Sequence, residues 1–187
     1  VYIYLWSKLQ RVPMSACDNC ALPVYARQRE RSLCEPCKAL LDRPQAVRVT
    51  PLERSDLELV LAWRSNPEIY QHFRRQDGPL DWSEHVTWYE SRSPDRHDFV
   101  IHYEDRRVGV VSLDADDEVS IYLGDFSAYG CGVATASLGW LCDRLEQRAP
   151  LKAEIHDEND ASKRLFERCG FQKDDRDGAW LQYLYQL

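Results

Sequence analysis

The sequence is poor in positive charge and contains no long apolar run. Its 187 residues include 24 lysines and arginines against 31 aspartates and glutamates, a formal net charge of −7. Because electrostatic nucleic-acid binders need a basic face that displaces counterions, this charge argues against that class. The N-terminal run VYIYLW is too short for a membrane span and has the wrong order of charged and apolar residues for a signal peptide. We therefore expect a cytoplasmic protein whose partners include neither a membrane nor a nucleic acid.

Methionine is almost absent, and Met14 is the single one in the sequence. Residues 1–13 are therefore expected to be a tail without a role in the fold, or to lie upstream of the true start. Internal repeats and low-complexity tracts are also lacking. With 44% hydrophobic residues, the chain is long enough for one full domain and a small appendage.

Cysteine, by contrast, is plentiful: four of the seven cysteines form the pairs Cys17-Asp-Asn-Cys20 and Cys34-Glu-Pro-Cys37. A two-residue gap lets both sulfurs of a tight turn face one ion, and two such knuckles complete a tetrahedral zinc site. Disulfide bonds are typical of exported proteins, and the sequence shows no export signal. A redox-active pair is typical of a thioredoxin-like context, which the sequence does not show either. Because four thiolates leave no open coordination position, residues 14–44 are predicted to form a structural Zn²⁺ knuckle, a small zinc-ribbon module that could bind a protein partner.

Residues 46–187 are predicted to form the main domain, after a linker at Arg43-Pro-Gln45. Apolar spacing predicts the element order β-α-α-β-β-β-α-β-α-β-β, in which the three middle strands form an antiparallel meander. The predicted strands cover 47–49, 99–103, 108–113, 119–123, 151–155, 171–172 and 179–185. The predicted helices begin after a capping box at Ser55-Asp-Leu-Glu58, near Trp82, at Val133 (ending near Gln147) and after a cap at Asn159.

A glycine pair stands between the meander and the next helix, in SAYGCGVATASLGWL. Backbone N–H groups and the helix dipole converge on an anion at such a junction, so the loop is a candidate phosphate cradle. A flexible turn before a helix is the alternative. A Walker A loop is disfavoured because no lysine follows the glycines. A Rossmann turn is disfavoured because the third glycine is missing and the preceding strands form a meander.

Three stretches resemble a known family. Tyr129-Gly-Cys-Gly-Val-Ala134 is similar to the Arg/Gln-x-x-Gly-x-Gly/Ala loop of the GNAT superfamily of N-acetyltransferases. Glu118-Val-Ser-Ile-Tyr-Leu123 resembles the strand that leads into that loop. The run NDASKRLFERCGF from Asn159 to Phe171 is similar to the family's Asn-x-x-[AS]-x-x-[LF]-[YF]-[EK]-[KR]-[LC]-Gly-Phe ending. The resemblance covers residues 47–187 and implies an α/β fold of the α+β type, with a central mixed, mostly antiparallel sheet flanked by helices. The zinc knuckle is an addition to it.

Residues in the first two predicted helices resemble particular subgroups of this superfamily. LVLAWRSNPEI in the first helix looks like the RimJ/RimL-type branch. Together with HVTW in the second helix, it looks still more like the sugar-nucleotide N-acetyltransferases of the pseudaminic acid pathway. The resemblance thus implies acetyl transfer from acetyl-CoA to a primary amine in a ternary complex, without an acyl-enzyme.

For acetyl-CoA, the resemblance implies a pyrophosphate cradle made by the backbone around the two glycines and the start of the helix. It also implies that a splayed strand aligns the pantetheine arm, and that Asn159 contacts that arm, although helix capping explains Asn159 equally well. Tyr129 stands where the family has a charged or amide side chain. The expected cofactor-binding residues are Ile121, Tyr122, Leu123, Tyr129, Gly130, Cys131, Gly132, Val133, Ala134, Asn159, Ser162 and Phe166.

Glu118 matches a glutamate often placed on that strand in this branch, so the resemblance implies that it acts as general base. The alternative is a solvated acid, since Asp114, Asp116 and Asp117 lie in the same turn. Many relatives have a tyrosine, as proton donor to the thiolate, where this chain has Phe166. Tyr122, Ser162 and Cys131 are candidate substitutes, and we take Tyr122 with Glu118 as the catalytic pair.

The two early helices supply candidate acceptor-binding residues, namely Trp63, Arg64, His72, His85 and Trp88. Core packing is the alternative for the two tryptophans. An amino-sugar nucleotide is the favoured acceptor, and a peptide or protein N-terminus is its rival. A rival of another class is a non-catalytic protein that uses the same fold to bind acyl-CoA or a partner.

Overall fold

The protein is described from a computed structural model. The chain divides into two compact units, Val1–Pro44 with Gly130–Gly132, and Gln45–Tyr129 with Val133–Leu187. The structure describes residues 47–145 and 150–186 and, in the first unit, two short antiparallel strands, Ser15–Ala16 and Pro23–Val24. The cysteines of the predicted knuckle and the tail at 1–13 lie outside the described residues.

The second unit follows the predicted order of strands and helices, with one added turn of helix. Its strands are β1 (Val47–Pro51), β2 (His97–Tyr103), β3 (Arg106–Leu113), β4 (Val119–Leu123), β5 (Leu151–His156), β6 (Gln172–Asp177) and β7 (Trp180–Tyr185). Its helices are α1 (Leu57–Arg64), α2 (Pro67–Tyr70), α3 (Trp82–Glu90), α4 (Val133–Arg144) and α5 (Asp160–Arg168). The short α2 lies in a polar stretch that the sequence pattern leaves without structure.

The strands form two antiparallel sheets, in the orders β1-β2-β3-β4 and β5-β7-β6. A single parallel bridge between Glu118 and Lys152 connects their facing edges, with the Lys152 amide donating to the Asp117 carbonyl at 2.9 Å. Beyond this bridge β4 and β5 are not paired, because they are edge strands of separate sheets. The two sheets therefore diverge from each other beyond the Glu118–Lys152 bridge, which lies just before β4.

Each face of the first sheet is covered by helices. On one face Val100 and Val110 pack in a cluster with Leu57, Val60 and other residues of α1 and α2. Because side chains alternate along a strand, Phe99 and Val111 point to the opposite face, where Phe99 meets Trp140 of α4 edge-on at 5.0 Å. The predicted sandwich of an antiparallel sheet between helices is confirmed.

Helix boundaries differ from the predictions where local side chains provide other caps. A 3₁₀ turn at Arg54–Asp56 precedes α1, and the Asp56 carboxylate accepts from the Glu53 amide at 2.9 Å. The cap therefore lies two residues upstream of the predicted box at Ser55. Helix α4 ends at Arg144, and the predicted extension beyond Leu145 lies outside the described residues. Among the described residues, no helix is long and apolar enough to cross a membrane.

Candidate active site

A cleft of about 360 Å³ lies on the α1 side of the first sheet. Its floor is built by side chains that share one face of β2, β3 and β4, since every second residue of a strand points the same way. Cross-strand pairs such as Ser112 with Ser120 and Val110 with Tyr122 place these side chains side by side. The lining comprises Leu52, Val60, Arg64, Phe73, Arg74, Arg75, Gln76, Trp88, Arg96, Asp98, Val110, Ser112, Asp114, Glu118, Ser120, Tyr122 and Glu154.

Glu118 lines this cleft at the point where the two sheets begin to diverge. Its backbone is fixed by Asp114, whose carboxylate accepts from the Glu118 amide at 2.9 Å and whose amide donates to the Glu118 carbonyl at 2.9 Å. Burial, with further contributions from the Asp114 and Glu154 carboxylates, raises the pKa of Glu118, and Arg75 opposes the rise. A desolvated carboxylate of this kind is a stronger base than an ordinary glutamate, so Glu118 is suited to accept a proton.

Tyr122 lies four residues after Glu118 and therefore on the same face of the sheet. Its hydroxyl is buried without a hydrogen-bond partner among the residues that the structure describes. Its ring meets Phe73 edge-on with 5.6 Å between centroids. Burial raises the pKa of Tyr122, so the phenol stays protonated and can donate a hydrogen bond into the cleft.

Arg64, in α1, forms part of the cleft wall that faces the floor of the sheet. Its guanidinium stacks over the Phe73 ring at 5.2 Å and donates to the Gln76 side chain at 3.0 Å. The Gln76 amide in turn donates to the Arg64 carbonyl at 2.7 Å and to the Gly78 carbonyl at 2.8 Å. Burial lowers the pKa of Arg64, although the residue remains cationic at neutral pH. Gln76 therefore holds a charged wall residue in place.

The other acceptor candidates separate into lining and core residues. Trp88 lines the cleft. Trp63 is only 9% exposed and lies in the core cluster, where it covers Gly124 so closely that a side chain there would collide with the indole. His85 is 2% exposed and stacks on Trp88 at 5.3 Å, and burial lowers its pKa. Trp63 and His85 are buried and do not line the cleft, so direct contact of either with substrate stays a prediction, and their packing shows a structural role. His72 is exposed and does not line this cleft.

The outer edge of β4 is open towards β5. Antiparallel ladders alternate between hydrogen-bonded and non-bonded pairs. Because the Asp114 and Gly124 amides donate to the Glu118 and Val108 carbonyls, the alternation directs the polar backbone groups of Ile121 and Leu123 away from β3. The Leu123 carbonyl accepts from the Tyr129 hydroxyl at 3.3 Å. The strand predicted to align pantetheine thus has the edge geometry that this role needs.

The chain then runs through a 3₁₀ turn, Phe126–Ala128, towards α4. Gly130 and Gly132 have φ values of 74° and 75°, a conformation that favours glycine. Helix α4 begins immediately afterwards at Val133, so the amides of Val133 and Ala134 belong to its first turn. This is the backbone arrangement that the phosphate-cradle interpretation requires.

The third resembling stretch forms α5. The Asn159 side chain accepts from the Ser162 amide at 3.0 Å, which confirms the predicted cap. Phe166 is 4% exposed and meets Phe171 edge-on at 4.9 Å. Its contact with the cofactor stays a prediction, and its packing shows that this ring has a structural role. Apolar spacing in the sequence also predicts a face of Ala161, Leu165 and Cys169 for this helix; Ala161 is instead exposed, and Phe166 is the buried residue of α5.

The sequence patterns did not predict several of the residues that line the cleft. Asp98 accepts from Arg96 at 3.0 Å and from Arg92 at 2.9 Å, and Arg74 binds Glu154 at 2.7 Å. The alternation of β2 places Asp98 on the cleft face, a usable signal, but the distant arginines carry no local pattern. Within residues 47–145 and 150–186, no group of three or more histidine, cysteine or acidic side chains is placed to hold a metal. Cys142 is buried, and burial raises its pKa to about 12, as expected of a core thiol.

Comparison with known proteins identifies the class of this chain. Residues 47–172 match the family model described as "Acetyltransferase (GNAT) domain". The match covers more than half of the chain, so the chain belongs to the GNAT acetyltransferase family and is an acyltransferase by class. The coarser part of the resemblance is thereby confirmed.

Two of the similar proteins come from Methanocaldococcus jannaschii. An uncharacterized protein, MJ1062, is 34% identical over 161 residues, covering 81% of this chain and 33% of its own length. The chain thus spans about a third of that curated relative. The crystal structure of a domain from the same organism superposes with a TM-score of 0.70 at 32% identity, covering 75% of this chain and 98% of that one.

A second similar structure is a spermidine N-acetyltransferase from Vibrio cholerae in complex with CoA and spermine. It superposes with a TM-score of 0.62 at 16% identity, covering 74% of this chain and 92% of that one. Identity at this level shows the shared fold alone.

Proposed function

We propose that the domain transfers the acetyl group of acetyl-CoA to a primary amine bound in the cleft, with Glu118 as general base. The observation that carries the proposal is the position of Glu118. It is a desolvated carboxylate at the point where β4 leaves β5, on the face that lines the cleft. A general base has to reach the acceptor and works best when its pKa is near the working pH, so the place of Glu118 in the cleft lining and its raised pKa support this role.

In the proposed reaction the amine attacks the thioester carbonyl directly. The new N–C bond forms as the C–S bond breaks, the ammonium proton passes to Glu118, and the sulfur leaves as the CoA thiolate. The Tyr122 phenol is the donor in the cleft that can supply a proton or hydrogen bond to that sulfur. Because a thiolate is a good leaving group, weak assistance from a high-pKa phenol is sufficient.

Acetyl-CoA binding is proposed along the outer edge of β4 and at the start of α4. The backbone of Ile121 and Leu123 would pair with pantetheine as an added strand does. The amides from Gly130 to Ala134 would bind the pyrophosphate, supported by the positive φ of both glycines and by the helix dipole. The proposed contacts of Tyr129, Cys131, Asn159, Ser162 and Phe166 rest on the resemblance.

For the acceptor we favour an amino-sugar nucleotide, on the resemblance of the first two helices. A cleft of about 360 Å³ is large enough for a sugar-sized group, within the usual range for small-molecule sites. A protein N-terminal amine is the second candidate, supported by the resemblance to the RimJ/RimL branch. A non-catalytic acyl-CoA-binding protein is the alternative of another class, supported by Phe166 in place of a tyrosine.

The experiment is a screen in which purified protein, acetyl-CoA and a panel of amines are assayed for free CoA and for acetylated products by mass spectrometry. Turnover of an amino-sugar nucleotide or a peptide identifies the acceptor class. If the protein binds acetyl-CoA yet releases no CoA above background with any amine, the enzymatic proposal fails and the binding-protein alternative replaces it.

We further propose that residues 14–44 form a structural zinc knuckle and residues 46–187 the catalytic domain. The support is the spacing of Cys17, Cys20, Cys34 and Cys37. Metal analysis of protein purified under reducing conditions should find one zinc per chain, lost in the Cys17→Ser variant. Protein that contains no zinc under those conditions would refute the knuckle.

A further inference from the structure

The cleft has two poles of opposite charge. The acidic pole consists of Asp114, Glu118 and Glu154, although Arg74, which binds Glu154, and Arg75 also line this end. The basic pole consists of the lining residues Arg64 and Arg96, with Arg92 bound to the same carboxylate as Arg96. Tyr122 lies in β4 and Glu118 immediately precedes that strand, so the two are four residues apart, which corresponds to roughly 13 Å along an extended chain. Tyr122 and Asp98 interact electrostatically with Arg64, whereas the groups that act on Glu118 are Asp114, Glu154, Arg75 and Asp116. The two poles thus lie at opposite ends of one floor.

The basic pole carries more positive charge than its own carboxylate can balance. Asp98, whose side chain is 2% exposed, is fully occupied by two arginines. Its Oδ2 accepts from Arg92 at 2.9 Å, and its Oδ1 accepts from Arg96 at 3.0 Å. Arg64 forms no ion pair with any described residue, and its Nε is buried without a hydrogen-bond partner. Within the described part of the chain, the Arg64 guanidinium therefore has no ion-pair partner of its own, and Asp98, with which it interacts electrostatically, is bonded to two other arginines.

A buried charge without a counter-ion is costly, and proteins rarely keep one in a pure packing role. Arg64 is half-buried, and burial is the largest cause that lowers its pKa, with the Arg96 guanidinium lowering it further. Stacking on Phe73 and the bond to Gln76 hold the guanidinium in place but neutralise none of its charge. Tyr122, whose buried hydroxyl is also without a partner among the described residues, packs against the same Phe73 ring and interacts electrostatically with Arg64. Both groups have donors available for an anion.

We propose that the acceptor is an amine that also carries an anionic group, phosphate or carboxylate, bound by Arg64 and Tyr122 while its ammonium lies at Glu118. The proposal rests on the proposed function, since it assumes that Glu118 faces the amine. The strand spacing sets the separation of ammonium and anion on the order of 10 Å. A guanidinium is suited to this role because its planar fork matches phosphate and carboxylate oxygens. A linear polyamine would place a second cation against the basic pole and is disfavoured.

The test compares acceptors that differ in the anion alone. The carboxylate arm uses 8-aminooctanoate and the phosphate arm uses 8-aminooctyl phosphate, each paired with the neutral alcohol 8-aminooctanol, and spermidine is included as a trication. We expect kcat/KM to be at least tenfold higher for the anionic member of one pair, and the pair that responds identifies the anion. Arg64→Gln should reduce that preference at least tenfold. Arg54→Gln, which removes an exposed arginine paired with Glu90, should leave it unchanged.

Each result decides between the two proposals. If CoA is released but neutral amines or spermidine are used as well as the anionic ones, the anion subsite is refuted and the acetyltransferase proposal stands. If no amine is turned over, binding decides: pyrophosphate or malonate should raise the melting temperature of CoA-saturated protein, and Arg64→Gln should abolish the rise. Absence of any rise refutes the subsite. If Arg64→Gln does not fold, Arg64→Lys replaces it, with a reduced preference expected because the ammonium lacks the planar fork.

Discussion

Glu118 and Lys152 form the single described bridge between the two sheets, and the Glu118 carboxyl lines the cleft beside it. The bridge fixes the start of β4, while beyond it the strand edge is open. A residue at this point can face an acceptor in the cleft and lie near a cofactor arm on the open edge. The first prediction follows from this position.

Replacing Glu118 by glutamine should lower kcat by about 10²–10⁴-fold if it is the base. Since burial raises the pKa of Glu118, the carboxylate form is lost on acidification at a higher pH than for an ordinary glutamate. Wild-type kcat/KM should therefore rise with pH through that raised pKa, and Glu118→Gln should lack this limb. Glu58→Gln, at an exposed position of α1 outside the cleft lining, is the control. An unchanged rate near neutral pH in Glu118→Gln would assign the base elsewhere.

The glycine loop gives a second prediction. Gly132 has φ 75°, so an alanine there costs about 1–2 kcal/mol in that conformation and displaces the amides that follow. We expect Gly132→Ala to weaken CoA binding about tenfold, as measured by calorimetry. Gly139 in α4 has open space around its Cα, and Gly139→Ala should leave CoA affinity unchanged and stabilise the helix by about 0.5–1 kcal/mol. Equal CoA affinity in both variants would contradict the cradle.

Two variants of Asn159 distinguish a helix-capping role from a contact with the cofactor. Its side-chain oxygen accepts from the Ser162 amide, so Asn159→Ala should cost about 1 kcal/mol of stability. Aspartate caps helices as well as asparagine does, so Asn159→Asp should keep the stability. If Asn159 also contacts the cofactor arm, Asn159→Asp should weaken CoA binding without destabilising the fold. Unaltered CoA affinity in the aspartate variant would leave Asn159 a cap alone.

Phe166 should be a stability residue. It is buried against Phe171, and truncating a buried phenylalanine to alanine costs about 3–5 kcal/mol. Phe166→Ala should therefore lower the melting temperature by many degrees in a thermal unfolding scan. The matched control is Phe126→Ala, since Phe126 is 38% exposed and its loss should change stability much less. A similar small loss in both variants would argue against a packing role for Phe166.

Local patterns were sufficient for much of the fold. The meander, the helix capped by Asn159 and the closing strands follow from apolar periodicity and turn residues, and all are present. A predicted helix boundary was wrong where a different side chain provided the cap. Asp56, instead of Ser55, provides the capping carboxylate at the 3₁₀ turn before α1. Of the acceptor candidates, Arg64 and Trp88 line the cleft, whereas Trp63 and His85 are buried beneath it. Periodicity shows that a helix has an apolar face but not which large side chain on it reaches the cavity.

The sequence by itself determined the family and the residues that mark it, because motif order and spacing depend only on neighbours along the chain. Glu118, the paired glycines and the run from Asn159 to Phe171 are of this kind. Only the tertiary structure decided that Arg64 has no ion-pair partner among the described residues, with its Nε left without a hydrogen bond, while Asp98 is shared by Arg92 and Arg96. The charge balance of a cleft is set by side chains that are distant in sequence and close in space, and no local pattern encodes it.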